Sequence, residues 1–335
     1  MKKLFKKNET YIFLVLVVST LLIEAVSGQF YTANNLVNIA RMFIPNALFS
    51  IGLMVVLISG GIDLSFPSIA SLSSYIIMLI SQRYGGEGNV VLGYLGVMAM
   101  GALLGAINGF FVAKYHFPAM IVTLATTNVF TGIMQGILRS RELFFQPNFL
   151  ELGKSNLFVV QNRAQGLSAS MPTTVLFVFI FALAAYFLLH HTMLGRAIYA
   201  IGGDIQSARR AGFNVPATQI FVFCFAGMMA GFSGMTRHIM NLFLVPTSLI
   251  GTETDIIAGV VLGGVRITGG VGTLTGAFLG ILLLTVVRNS LLLLNVPTYW
   301  QTMVTALFII IGTGVSSVQI IMARRHSAVN TERGV

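Results

Sequence analysis

Residues 37–65 read VNIARMFIPNALFSIGLMVVLISGGIDLS, and this stretch decides the fold class. Residues 37–58 are almost wholly apolar and contain one charged side chain, Arg41. About 20 apolar residues are needed to cross the hydrocarbon core of a bilayer as a helix. Lipid offers the backbone no hydrogen bonds, so such a segment must satisfy its own N–H and C=O groups. The stretch therefore predicts a membrane-spanning helix that ends at the Gly60-Gly61 pair.

The same composition extends over the whole chain. Of the 335 residues, 56% are hydrophobic and only 9% are charged, whereas about 25% of residues are charged in a soluble domain. These values exclude an ordinary soluble enzyme, a disordered chain and a secreted disulfide scaffold. The single cysteine, Cys224, has no partner for an intrachain disulfide. The 35 glycines suit close helix–helix contact in lipid.

We therefore predict an all-α, polytopic membrane protein that forms one transmembrane domain over residues 1–335. About ten helices are expected, with broken or re-entrant glycine-rich segments between some of them. The predicted spans are 10–27, 37–58, 62–81, 89–113, 117–138, 171–190, 217–236, 252–265, 271–294 and 298–322.

The positive charges predict the orientation. Four lysines lie in the N-terminal tail, residues 1–9, and Arg324-Arg325 begin the C-terminal tail, residues 323–335. By the positive-inside rule, both tails are expected in the cytoplasm, which requires an even number of spans. The loop 139–170 is then extracytoplasmic and the loop 191–216 is cytoplasmic. The net charge of +10 is thus a topology signal and not a sign of nucleic-acid binding.

The N-terminal run has an alternative interpretation. Its lysines, apolar core and small residues at 25–27 also resemble a cleaved signal peptide. A first transmembrane helix is favoured, because removing it would leave an odd number of spans.

Two glycine-rich segments form a weak internal repeat, with Gly60-Gly61-Ile62-Asp63-Leu64-Ser65 matching residues 263–268, GGVRIT. Broken helices in repeated positions are typical of transporters. The expected helix-break and gating residues are Gly60, Gly61, Gly263, Gly264, Gly269 and Gly270. For Asp63, three roles stay open: a cap on the following helix, a contact with solute or a proton, and an ion pair with Arg266.

The cytoplasmic loop contains a short capped helix. Asp204 is a suitable N-cap, residues 205–211 suit a helix, and Gly212 suits its end. Two helical turns are unstable alone in water, so this helix is expected to dock on a partner. The alternative is a positively charged loop with incidental caps.

Catalytic and metal-binding constellations are absent from the sequence. The five histidines show no ligand spacing, and no Walker A motif is present. Glu253 and Asp255 are expected to pair with Arg237 or to face a partner. Polar residues within the spans either bond between helices or line a path for a polar solute. The candidates for that path are Asn46, Asp63, Asn108, Asn128 and Gln135.

Three strings together resemble the inner-membrane permease subunits of ATP-binding-cassette importers of the ribose, xylose and galactoside type. These are SGGIDLS at 59–65, AIGGD at 200–204 with its ARRAGF continuation, and GGVRITGGVGTLTGAFLG at 263–280. Their order and spacing also match, over nearly the whole chain. The chain departs from the usual pattern at Phe66-Pro67-Ser68, Asp204 and Thr268, which indicates a divergent member.

The resemblance implies a permease in the bacterial cytoplasmic membrane. It would form a dimer with a second copy or a paralogue and work with two cytoplasmic ATP-binding-cassette domains and an extracytoplasmic sugar-binding protein. The chain itself would bind no cofactor, since ATP and Mg²⁺ are used by the partner subunit. The cargo would be a pentose, a hexose or a related polyol, autoinducer-2 included. The coupling-helix residues implied are Gly203, Asp204, Ser207, Ala208, Arg209, Arg210 and Gly212.

Two other classes of membrane protein are the alternatives. A secondary transporter driven by protons or sodium needs intramembrane carboxylates, for which Asp63 is the main candidate, followed by Glu24, Glu253 and Asp255. A membrane-embedded enzyme would need paired acids, a histidine-bound metal or an activated nucleophile, and the sequence contains none of these motifs.

Overall fold

The computed structural model describes residues 8–162, 167–297, 299–307 and 310. Within them, the chain is mainly helical. The helices are α1 (Asn8–Ser27), α2 (Ala33–Ile58), α3 (Phe66–Tyr84), α4 (Val90–Tyr115), α5 (Ala119–Gly132, continued by a π-helical turn, Ile133–Ile137), α6 (Pro147–Lys154), α7 (Val175–His191), α8 (Met193–Gly203), α9 (Ile205–Arg210), α10 (Val215–Asn241), α11 (Glu253–Leu262) and α12 (Leu274–Leu293). The strands are β1 (Leu143–Phe144), β2 (Asn156–Asn162), β3 (Leu167–Pro172) and β4 (Phe243–Leu244).

Helix α2 forms the centre of the bundle. Its N-cap Thr32 accepts a hydrogen bond from the backbone N–H of Asn35. From Ala47 to Ile58 the helix is apolar on all faces except at Ser50, as a fully enclosed helix requires. Residues 44, 45 and 47–58 are all buried. Pro45 lies inside the helix, and its carbonyl accepts a hydrogen bond from Ser233 Oγ of α10 at 2.7 Å. Ser233 of α10 therefore satisfies a backbone carbonyl of α2 at the position of the proline.

Helices α4 and α10 pack with their backbones in direct contact. A Cβ atom at Gly101 would overlap the carbonyl of Gly227, and one at Gly227 would overlap the carbonyl of Gly101. Gly105 meets the carbonyl of Phe223 in the same way. Gly101 and Gly105 are spaced four residues apart, as in the small-xxx-small motifs of membrane helices. The high glycine content is thus used for close helix packing.

The polytopic helical class is confirmed, but the count of ten spans is not. Six helices in the described residues are long and apolar enough to cross a membrane, or seven if the bent pair α7–α8 counts as one span. Helix α3, the predicted third span, has 19 residues but is not among these. The predicted eighth span contains only α11, whose ten residues extend about 15 Å, half of the hydrocarbon core. Most of the predicted tenth span, 298–322, lies outside the described residues.

The loop predicted at 139–170 is a folded element. It holds α6 and the antiparallel hairpin of β2 and β3, and β1 pairs with β4 after α10. Phe149 of α6 is fully buried, and Gln146 donates to the carbonyls of Gly85 and Gly86 at 3.2 Å. Strand β3 continues to Pro172, so the helix predicted to begin at 171 begins instead at Val175. The end of the bundle that carries this element is called the hairpin end.

Helix α10 separates the hairpin end from the short helix α9. Its 27 residues extend about 40 Å. Its C-terminal part meets α6, since a Cβ at Gly153 would overlap the carbonyl of Ile239. Its first residue, Val215, packs with Ala208 of α9. The two loops predicted on opposite sides of the membrane therefore lie at opposite ends of one long helix.

Candidate functional site

Three glycine-rich breaks meet at the end of the bundle opposite the hairpin. Helix α2 ends at Ile58, and its last carbonyl accepts a hydrogen bond from the N–H of Gly270 at 2.8 Å. A Cβ at Gly269 would lie 2.6 Å from the carbonyl oxygen of Gly202 and 2.8 Å from the Cα of Gly60. Segments 58–61, 202–203 and 266–272 thus touch backbone to backbone, and we call this contact the glycine junction.

The junction requires glycine for two physical reasons. Gly60, Gly264, Gly269 and Gly270 have φ values of +86°, +89°, +89° and +74°, a region that other L-residues rarely adopt. Gly202 has no positive φ, but a Cβ there would overlap the carbonyl of Ile58. The predicted glycine pairs 60–61 and 263–264, and also 269–270, all lie in breaks between helices. Their gating role stays a prediction.

The predicted short helix is present as α9. Asp204 Oδ1 accepts a hydrogen bond from the backbone N–H of Ser207 at 2.7 Å, and Gly212 has a φ of +86° after the helix end. The hydrogen bonds from the side chain and backbone of Ser207 lower the pKa of the Asp204 carboxyl. The structure therefore contains the N-cap and the terminating glycine that the sequence predicted.

Helix α9 is attached to the bundle by one buried residue. Ala208 is 2% exposed and packs with Ile201 of α8 and Val215 of α10. Arg209 and Arg210 are exposed, and Ile205 exposes 43% of its apolar side chain. An apolar residue and two guanidinium groups at the tip of a helix make a small surface that suits a protein partner.

Asp63 makes the predicted contact with the start of the next helix. Its Oδ1 accepts from the N–H of Ser65 at 2.7 Å and from the Ser65 hydroxyl at 2.6 Å. Asn108 donates to the same hydroxyl at 2.7 Å and accepts from Thr126 at 2.8 Å. Asp63 is 1% exposed and Asn108 is fully buried. This polar chain ties the start of α3 to α4 and α5.

The alternative ion pair between Asp63 and Arg266 is wrong. Arg266 is exposed in the junction loop, and among the described residues the one ion pair joins Arg288 to Asp255. Asp255 therefore pairs with Arg288. The expected pair of Asp255 with Arg237 is wrong.

The structure does not bring the five predicted pathway residues together. Asp63 and Asn108 share the buried chain described above, whereas Asn46 lines a cavity at the hairpin end. Asn128 and Gln135 are exposed on the outer face of α5 and of its π-helical turn. A role in solute passage stays a prediction for each of them.

The cavity at the hairpin end is a feature that the sequence reasoning missed. It has a volume of about 300 Å³ and lies between α2, α10, α11 and α12. Three arginines line it, Arg41, Arg237 and Arg288. A usable signal was present, because arginines within apolar spans are expensive and mark functional sites. Among the described residues, no cluster of histidine, cysteine and acidic side chains is suited to a metal ion.

Comparison with known proteins finds relatives over most of the chain. The family model described as branched-chain amino acid transport system / permease component matches residues 35–312. The ribose import permease protein RbsC of Escherichia coli K12 is 34% identical over 299 residues, which cover 89% of this chain and 90% of RbsC. RbsC of Haemophilus influenzae is 30% identical, with 90% of each chain covered.

A second sugar permease is also similar. The xylose transport system permease protein XylH of Escherichia coli K12 is 27% identical over an alignment of 341 positions, gaps included, that covers 87% of this chain and 86% of XylH. No solved structure matches the chain.

Proposed function

This chain belongs to the branched-chain amino acid transport system / permease component family, and we propose that it is the membrane subunit of an ATP-driven importer of a small sugar or related polyol. The ribose and xylose permeases among its relatives support the cargo class. The observation that carries the mechanism is the position of α9, which protrudes from the bundle directly after the glycine junction. The chain is not an enzyme, so ATP and Mg²⁺ are used by a partner subunit.

Helix α9 is the proposed contact with that partner. Residues 203–212 would enter a cleft of the ATP-hydrolysing subunit, with Arg209 and Arg210 bonding to its acidic or carbonyl groups. A movement of the cleft would displace α9 and, with it, the end of α8. Gly202 packs against the backbone of Ile58 and Gly269 without intervening side chains. The displacement would therefore reach α2 and the loop before α12 with little loss, since packed backbone transmits strain.

Alternating access follows from the same connection. The breaks at 59–65 and 263–273 let the helices on either side of the junction change their angles without breaking a continuous helix. ATP-driven closure of the partner would tilt these helices and open the path to the opposite side of the membrane. This mechanism needs no ion-binding carboxylate.

The outer face of α5 supports a dimer. Asn128 and Gln135 are exposed there, and a Cβ at Gly132 or Gly136 would meet no atom within 4 Å. Amide side chains are costly against lipid, and small residues at helical spacing let a second helix approach. We infer that this face meets a second copy or a paralogue. The two amides would then border a path between the two permeases.

The binding protein is proposed to dock at the hairpin end. That end lies about 40 Å from α9 along α10, which is far enough for the two partners to meet the permease on opposite sides of a bilayer. The predicted orientation, with both tails and α9 in the cytoplasm, makes the hairpin end extracytoplasmic.

Reconstitution of the permease with its ATPase and binding protein in liposomes tests the proposal. Uptake of radiolabelled ribose, xylose or another sugar should require ATP, and Arg209→Glu should abolish it. Arg209→Lys, which keeps the positive charge at the same position, is the control and should retain uptake. Uptake driven by a proton or sodium gradient without ATP would contradict the proposal and favour an ion-coupled transporter.

A further inference from the structure

The cavity at the hairpin end is lined by three guanidinium groups and one carboxylate. Arg41 comes from α2, Arg237 from α10, Arg288 from α12 and Asp255 from α11. Its volume of about 300 Å³ is at the lower end of the range for small-molecule sites. We call it the arginine cavity.

The positive charges in the arginine cavity are only partly balanced. Arg288 pairs with Asp255. Arg41 Nη1 donates to the carbonyl and the hydroxyl of Ser170, both at 3.0 Å, but these acceptors are neutral. The guanidinium of Arg237 forms no hydrogen bond or ion pair with any described residue. Two guanidinium charges thus line one cavity without a carboxylate of their own.

This imbalance points to the chemistry of a ligand. A poorly hydrated cation that is only partly exposed loses free energy unless an anion compensates it. The planar fork of arginine fits the two oxygens of a carboxylate or a phosphate. Asn46, Asn241 and Thr285 also line the cavity, and their amides and hydroxyl can bond to alcohol groups. The arginine cavity therefore combines an anion site with a hydroxyl site.

We propose that the arginine cavity binds a small polyhydroxylated anion, such as a sugar acid or a sugar phosphate. Arg237 and Arg41 hold the anionic group, and the neutral polar residues hold the hydroxyls. The inference rests on the proposed function, because it extends the cargo from neutral sugars to their acidic derivatives. It concerns binding to the permease itself and not to the partner subunits.

Calorimetry on the full-length chain in phosphatidylcholine nanodiscs tests the proposal. Gluconate and glucitol differ by one carboxylate in place of one alcohol, so gluconate should bind and glucitol should bind at least ten-fold more weakly. Arg237→Gln should reduce gluconate binding at least ten-fold, and Arg237→Lys should reduce it less. Arg83→Gln removes a positive charge at the hairpin end outside the cavity and should change nothing. Inorganic phosphate should compete with gluconate.

The remaining outcomes overturn the proposal. Equal binding of gluconate and glucitol, no binding of either, or unchanged binding in Arg237→Gln would each exclude an anion site for a small solute. Stabilisation by phosphatidylglycerol that disappears in Arg237→Gln, with no gluconate binding, would assign the charges to a lipid headgroup. ATP-driven uptake of a neutral sugar would persist in all these cases. The proposed function is therefore tested independently of binding at the arginine cavity.

Discussion

Replacement of Gly202 by alanine is the sharpest test of the glycine junction. Gly202 has no positive φ, so alanine is not excluded by backbone conformation. The new Cβ would overlap the carbonyl oxygen of Ile58 and lie 2.5 Å from the N–H nitrogen of Gly270. Both are backbone atoms, which cannot rotate away as a side chain would. The end of α8 must therefore move away from α2 by about 1 Å or more.

The cost of this displacement sets the expected effect. Overpacking costs about 1–3 kcal/mol. A loss of that much coupling free energy between α9 and α2 lowers transport by a factor of about 5 to 150. We expect ATP-driven uptake by Gly202→Ala to fall by such a factor. The partner subunit should still hydrolyse ATP, because α9 itself is unchanged. The number of sugars moved per ATP is the quantity to measure in liposomes.

Gly96→Ala provides a control. Gly96 of α4 also has no positive φ, and the atoms nearest to a Cβ there belong to the side chain of Ile77, at 3.1 Å or more, which can move aside. Gly96→Ala should transport at the level of the unmodified protein. Equal transport by Gly202→Ala and Gly96→Ala, at equal amounts of assembled complex, would refute the view that the junction transmits force.

Three further predictions concern single residues. Asp204→Asn should keep the cap on α9 and full transport, whereas Asp204→Ala should weaken binding of the ATPase. The hydrogen bonds from Ser207 lower the pKa of Asp204 in the folded chain. The contribution of the cap to the stability of α9 is therefore complete above the usual pKa of 3.8 and is lost as pH falls through the lowered pKa. Amide hydrogen exchange of α9, measured as a function of pH, checks this prediction. Asp63→Asn keeps an oxygen for the cap and should retain ATP-driven uptake, while loss of uptake with normal folding would favour a role in ion or solute binding. In a variant without the native cysteine, Asn128→Cys should cross-link two copies in membranes, and Leu183→Cys on the exposed face of α7 should not.

Local features of this chain could be predicted well. The long apolar runs place helices α1, α2, α4, α10 and α12 within a few residues, because each helix satisfies its own backbone in lipid. The cap on α9 also depends on neighbours only three residues apart. The spans predicted at 62–81 and 252–265 are not confirmed, because an apolar stretch does not show whether it crosses the bilayer or packs inside the protein. The helix start predicted at 171 is wrong because β3 continues to Pro172.

The sequence alone determined that this chain is a helical membrane protein of the permease type, and where its glycine breaks lie. Tertiary structure alone decided which breaks meet at Gly202, that Asn108 reaches Ser65 across 43 residues, and that Asp255 pairs with Arg288. It also created the arginine cavity from four separate helices. The physical reason is that helix formation in lipid is a local requirement of the backbone, whereas contacts between distant segments depend on how the helices pack.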